Sequence, residues 1–128
     1  MKNINNLLEE ALKAKEMAYS PFSKFKVGAA LKTKSGKIYT GCNIENASYG
    51  LTICAERTAI FKAVSEGEKD FVEIMIVTSN PDKLISPCGA CRQVLAEFNK
   101  DIVICLEGKK VYSLTELLPD SFSGKDFM

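Results

Sequence analysis

The chain has 128 residues, 46% of them hydrophobic, which is the length of one domain and enough for a single core. Seventeen Lys and Arg stand against sixteen Asp and Glu, a formal net charge of +1. That balance excludes the strongly basic field that gathers nucleic-acid phosphates and favours a small diffusing partner. Residues 1–17 include Glu9, Glu10, Lys13, Lys15 and Glu16, too charged for a signal peptide, and no later run reaches the length of a membrane span. A cytoplasmic protein with no membrane or nucleic-acid partner is expected, and there five cysteines point to metal or thiol chemistry rather than disulfides. With no histidine in the chain, the chemistry must run on Cys and Glu.

Ile4, Leu7, Leu8, Ala11 and Leu12 recur at helical spacing, with Asn3 or Asn5 available as a cap. The spacing predicts an opening helix that ends near Tyr19, before Ser20-Pro21. Residues 27–33 and 37–43 read as a hairpin about Lys34-Ser35-Gly36, where the glycine suits a positive φ. An irregular stretch, 44–51, precedes a helix over 54–65 that stops at Gly67. Residues 71–79 are a β-rich run, followed by the loop Asn80-Pro81-Asp82, a helix over 89–98 and a buried strand over 102–106. A short helical signal, 114–118, leads through Pro119 to a polar tail, 121–128, that must be either frayed or pinned to something. Strands alternating with helices predict an α/β layer on a mixed sheet, within one domain spanning 1–128.

Cys54-Ala55-Glu56-Arg57 opens one predicted helix, and Pro87-Cys88-Gly89-Ala90-Cys91-Arg92 opens another. Cys88 and Cys91 lie three apart, on one face of a helix start, so both sulfurs can reach one ion. Helix N-termini lower a thiol's pKa, and two of them converging would favour three thiolates on one Zn²⁺. Three protein ligands leave a coordination position open for water, the mark of a catalytic rather than a structural zinc. Three thiolates also overcompensate the ion, so a cation is needed nearby, and Arg57 can hydrogen-bond a ligand sulfur. Glu56 sits where it can flank the metal without binding it, as a proton shuttle between water, a ring nitrogen and a leaving amine. Alone, a C-x-x-C is as readily a structural half-site or a redox pair, and a first-turn Glu a simple dipole partner. Jointly these motifs match the zinc deaminase pattern, in which a non-ligating Glu accompanies a P-C-x-x-C half. Cys42 and Cys105 fall on strand-like runs and read as small core residues.

The chain resembles the small homotetrameric cytidine deaminases over nearly its whole length. The likeness rests on the zinc motifs and on three further strings: Tyr19-Ser20-Pro21-Phe22-Ser23-Lys24-Phe25-Lys26-Val27-Gly28-Ala29-Ala30, Gly41-Cys42-Asn43-Ile44-Glu45-Asn46-Ala47-Ser48-Tyr49, and Leu117-Leu118-Pro119 with Phe122. The resemblance implies a three-layer α/β/α fold on a five-stranded mixed sheet, a count reached only if 109–112 is the last strand. It implies one zinc per subunit on Cys54, Cys88 and Cys91, with Glu56 catalytic, and hydrolysis of cytidine and deoxycytidine in pyrimidine salvage. Phe25 would stack on the pyrimidine, Asn43 and Glu45 would bond the ribose hydroxyls, and Ala55 would meet the base through its backbone. Tyr49 and Phe122 would line a neighbour's pocket, in sites shared across the homotetramer. Ile53 and Phe22 stand where members often carry Cys and Tyr, and Ser86 fits the family or a helix cap. The competing readings are a deaminase with the same site acting on another amino-heterocycle nucleoside, and a noncatalytic zinc module. Retention of Glu56 argues against the second. A deaminase of tRNA or single strands would be expected to show a basic, aromatic surface and a histidine ligand.

Overall fold

The computed structural model describes residues 2–128, with side chains from Asn6 onward. The expected cap at Asn3 or Asn5, and Ile4 in the apolar stripe, therefore fall on side chains outside those described. Five strands form one sheet in the order β2-β1-β3-β4-β5: β1 (Val27–Thr33), β2 (Ile38–Cys42), β3 (Phe71–Thr78), β4 (Val103–Leu106) and β5 (Lys110–Ser113). Only β3 and β4 run parallel, and α3 (Gly89–Phe98) makes the crossover between them. The sheet is mixed and five-stranded, as expected, and the last strand is present.

β3 is buried on both sides because its alternate residues serve two cores. Ile74 and Ile76 join Ala29, Leu31 and Ile104 beneath α2 (Ala55–Ser65) and α3, while Met75 and Val77 join Ala30 and Cys105 beneath α1 (Lys2–Lys15). The result is three layers, with helices on both faces. Two glycines set how closely those helices lie. A Cβ at Gly28 would stand 2.2 Å from the Ala11 carbonyl oxygen of α1, and one at Gly41 would stand 2.4 Å from that of Ala55 at the start of α2. Backbone packs on backbone at both places.

The opening helix stops at Lys15, four residues short of the expected Tyr19. Tyr19 is drawn away because its N–H donates to Asn43 (3.0 Å) and its carbonyl accepts from Glu45 (2.8 Å), a parallel bridge tying the segment to the end of β2. Gly36 (φ 94°) and Gly67 (φ 91°) hold the positive φ expected of them. The irregular stretch contains a 3₁₀ turn over Tyr49–Leu51. After β5, the helix α4 (Leu114–Leu117) begins with a capping box between Ser113 and Glu116. The tail is pinned. Gln93 donates to the Phe122 carbonyl (2.9 Å) and the Gly124 N–H to Glu97 (2.9 Å), both side chains belonging to α3. No described helix is long and apolar enough to cross a membrane.

Candidate active site

At one end of the sheet β1 begins, β2 and β3 end, and the N-termini of α2 and α3 arrive together. Cys54 is the N-cap of α2 and Cys88 that of α3, each in extended conformation, and their carbonyls accept the first helical bonds, from Thr58 (3.1 Å) and Arg92 (3.0 Å). Neither side chain caps its own helix, so both sulfurs are free for another partner. Cys91, one turn into α3, is fully buried. The three Sγ atoms lie within 4.8 Å of one another, with Cys54 to Cys88 at 3.7 Å and Cys88 to Cys91 at 3.6 Å. Zn–S bonds of about 2.3 Å in a tetrahedron put sulfurs about 3.8 Å apart, so the spacing fits one zinc.

The chemistry of the donor set agrees. The Cys54 thiol is pulled down to about 5, first by a hydrogen bond from Cys91, against the cost of burial, and then by Arg57, whose Nη2 lies 3.4 Å from the sulfur. That same bond to Cys54, with burial and nearby negative charge, pushes the Cys91 thiol up. A bound cation would take the place of the protons that these crowded thiols hold. Holding the ligand sulfur raises the Arg57 pKa further, while its buried Nε has no partner among the described residues.

Glu56, in the first turn of α2, is 5% exposed and lies outside the sulfur cluster, close enough for its charge to act on Cys91. Burial raises its carboxyl pKa to about 7, helped by the Cys54 charge and opposed by its own backbone N–H and by Arg57. A cleft of about 220 Å³ is lined by Cys54, Ala55, Glu56, Cys88 and Asn43, together with Val27, Thr52, Thr78, Ile85 and Ser86. Six of the sequence-predicted residues thus meet: the three cysteines, Glu56, Ala55 and Asn43. The Asn43 side chain bridges strand and loop, accepting from the Val27 N–H (2.9 Å) and donating to the Phe25 carbonyl (2.8 Å). Phe25 is half-buried and does not line that cleft.

Glu45 and Tyr49 line an adjoining cavity of about 370 Å³ with Phe22, Ser23 and Thr52, and Thr52 borders both spaces. The Glu45 carboxylate accepts from the N–H groups of Phe22 (3.0 Å) and Ser23 (3.1 Å) and from the Ser23 hydroxyl. The Ser23 hydroxyl, the first of these influences, holds the Glu45 pKa below the usual carboxylate range. Tyr49 is 75% exposed, edge-on to Phe22. Phe122 lies apart, in a cavity between the end of α3 and the tail, stacked edge-on against Phe127. Cys42 and Cys105 stand outside the cluster, and burial raises the pKa of both. Sequence reasoning missed Ser23, Thr78, Ile85 and Arg92. Arg92 left a signal as the residue after the second C-x-x-C cysteine, and Ser23 as part of the Tyr19 to Ala30 string.

The model of the cytidine and deoxycytidylate deaminase zinc-binding region matches residues 1–107. A cytidine deaminase of Halalkalibacterium halodurans is 49% identical, over 94% of each chain. The 1.6 Å crystal structure of a cytidine deaminase from Burkholderia pseudomallei superposes with a TM-score of 0.86 at 49% identity, covering 92% of this chain and 98% of that one. A blasticidin-S deaminase of Bacillus cereus is a more distant relative, 37% identical over 88% of this chain and 87% of its own. Three sulfurs at zinc spacing beside a buried glutamate, on a fold that superposes at this level, place the chain in the cytidine and deoxycytidylate deaminase family.

Proposed function

We propose that the chain, as one catalytic domain spanning 1–128, is a zinc-dependent hydrolase that converts cytidine and deoxycytidine to uridine and deoxyuridine with release of ammonia. The observation that carries this reading is the shared cleft: Cys54 and Cys88 line it together with the buried Glu56. Bound to Cys54, Cys88 and Cys91, a zinc ion would supply an activated water as nucleophile. Glu56 then handles the protons. Its buried carboxyl, in the first turn of α2 and lining the same cleft as Cys54 and Cys88, can take a proton from the attacking water and pass it to the ring nitrogen. It takes the second proton from the newly added hydroxyl and delivers it to the amino group as that group leaves. Water adds at the ring carbon, the carbon–nitrogen bond breaks, and the products are the uracil nucleoside and ammonia. Arg57, bonded to the Cys54 sulfur, offsets the negative charge of the thiolates.

Substrate contacts follow the same placement. Asn43 Oδ1 keeps a second lone pair beyond its bond to Val27, and Glu45 holds a charged carboxylate in the adjoining cavity, so both can receive sugar hydroxyls. Phe25 is assigned to the pyrimidine face and the Ala55 backbone to the base edge. Tyr49 and Phe122 are 75% and 56% exposed, and we assign them to a neighbouring subunit's site in a homotetramer. A role in pyrimidine salvage in the cytoplasm accords with such a substrate.

The test is the ultraviolet absorbance of cytidine with purified, zinc-quantified protein. Decay of the cytidine band with ammonia release is expected. Full zinc with no turnover sinks the cytidine reading, and a panel containing blasticidin S and other amino-nucleosides then decides for the second substrate class that the Bacillus cereus relative suggests.

A further inference from the structure

The segment that delivers Cys88 has little to hold it. From Ser79 to Cys88 the chain forms no helix or strand, yet Ile85, Ser86 and Cys88 wall the candidate cleft. Among the described residues, the hydrogen bonds made by residues 84–87 all come from Arg92. Its Nε donates to the Pro87 carbonyl at 2.7 Å and its Nη2 to the Ser86 hydroxyl at 2.9 Å. Nη1 donates to the Leu117 carbonyl at 2.8 Å, at the end of α4. These are short, charge-assisted bonds, and the planar guanidinium fixes their mutual directions. The Arg92 backbone N–H meanwhile accepts its place in α3 by donating to the Cys88 carbonyl at 3.0 Å. One residue therefore grips both the peptide that enters Cys88 and the one that leaves it.

We propose that Arg92 is a positioning residue for the metal centre, stapling the Ser86–Cys88 segment to α3 and α4 so that the Cys88 sulfur is held at its distance from Cys54 and Cys91. The role rests on the zinc reading above and touches neither metal nor substrate. Without the side-chain staple, Cys88 is held through its backbone bond at the start of α3 while the loop entering it loses its described hydrogen bonds, and the ordering of that loop must be met from the free energy of metal binding. A lysine cannot replace it, because a single ammonium on a flexible stem cannot reach two carbonyls and a hydroxyl in one plane.

The experiment loads wild type, Arg92→Ala and Arg92→Lys with zinc and measures its release to the chelator 4-(2-pyridylazo)resorcinol, below the melting point checked by circular dichroism. Melting is also followed with and without zinc. Arg92→Ala should hold zinc about 10- to 100-fold more weakly, with Arg92→Lys between it and wild type, and the gap between zinc-loaded and zinc-free melting should shrink. A merely structural staple would lower both melting temperatures equally and leave zinc release unchanged, which overturns the proposal. Should Arg92→Ala not fold, Arg92→Lys decides, and wild-type release from it has the same force. A wild-type protein that takes up no zinc would overturn the metal reading itself, an outcome distinct from unaltered release in the variants.

Discussion

Glu56 and Glu45 are both glutamates, and the fold treats them oppositely. Burial raises the Glu56 pKa, while donated hydrogen bonds, that of Ser23 first, lower the Glu45 pKa. Glu56→Gln should keep the fold and the zinc while turnover falls at least about 100-fold, the scale of a lost general acid–base group. A zinc-loaded Glu56→Gln protein with most of its rate would remove Glu56 from the mechanism. For Glu45 the sign is that of a depressed carboxyl: its interactions are fully present above the ordinary pKa and are lost as pH falls through the folded one. Because the Ser23 hydroxyl is the first cause, Ser23→Ala should raise the Glu45 pKa towards the usual range. A side-chain carboxyl titration by carbon-13 NMR reads this directly, and an unmoved pKa would show that the backbone donors of Phe22 and Ser23 suffice.

The elements meet at glycines, and this separates two kinds of damage. A methyl group at Gly41 would overlap the Ala55 carbonyl at 2.4 Å and the Ala59 nitrogen at 2.5 Å, pushing away the turn that bears Cys54 and Glu56. At Gly28 the overlap is with Ala11 and Lys15 of α1, on the other face of the sheet. Both Gly→Ala changes should destabilise, by about 1–3 kcal/mol or more if the helix cannot shift. Only Gly41→Ala should also lower zinc content at a temperature where the protein is folded. Equal zinc in the two variants would mean that α2 adjusts without carrying Cys54 along.

In the whole molecule, α2, α3 and the loop before Cys88 converge at the sulfur cluster, so metal binding is coupled to tertiary structure. Cys88→Ala should lose zinc and a substantial part of the thermal stability, and chelation of the wild type should lower its melting temperature in the same direction. Unchanged melting in the metal-free protein would show that the two cores stand without the ion.

Most of the fold was legible along the chain because its signals are local. Alternation in residues 27–33 and 71–79, glycines at positions 36 and 67, and helical spacing around Cys54 and Cys88 each act within a few residues. The first helix was misjudged at its end because Tyr19 is claimed by Asn43 and Glu45, a pairing between residues far apart in sequence. Spacing put Cys88 and Cys91 on one face of a helix start, and the match of both motifs to the zinc deaminase pattern added Cys54. By itself, then, the sequence determined the helices and strands, the residues able to bind zinc and the glutamate beside them, because propensity, periodicity and ligand chemistry are properties of short segments. Only the tertiary structure decided that Ser23 locks Glu45, that Arg92 ties Cys88 to α4, and that Phe122 lies away from its own chain's cleft. Those contacts join segments whose closeness depends on how the sheet and helices pack, and nothing in either segment alone encodes it.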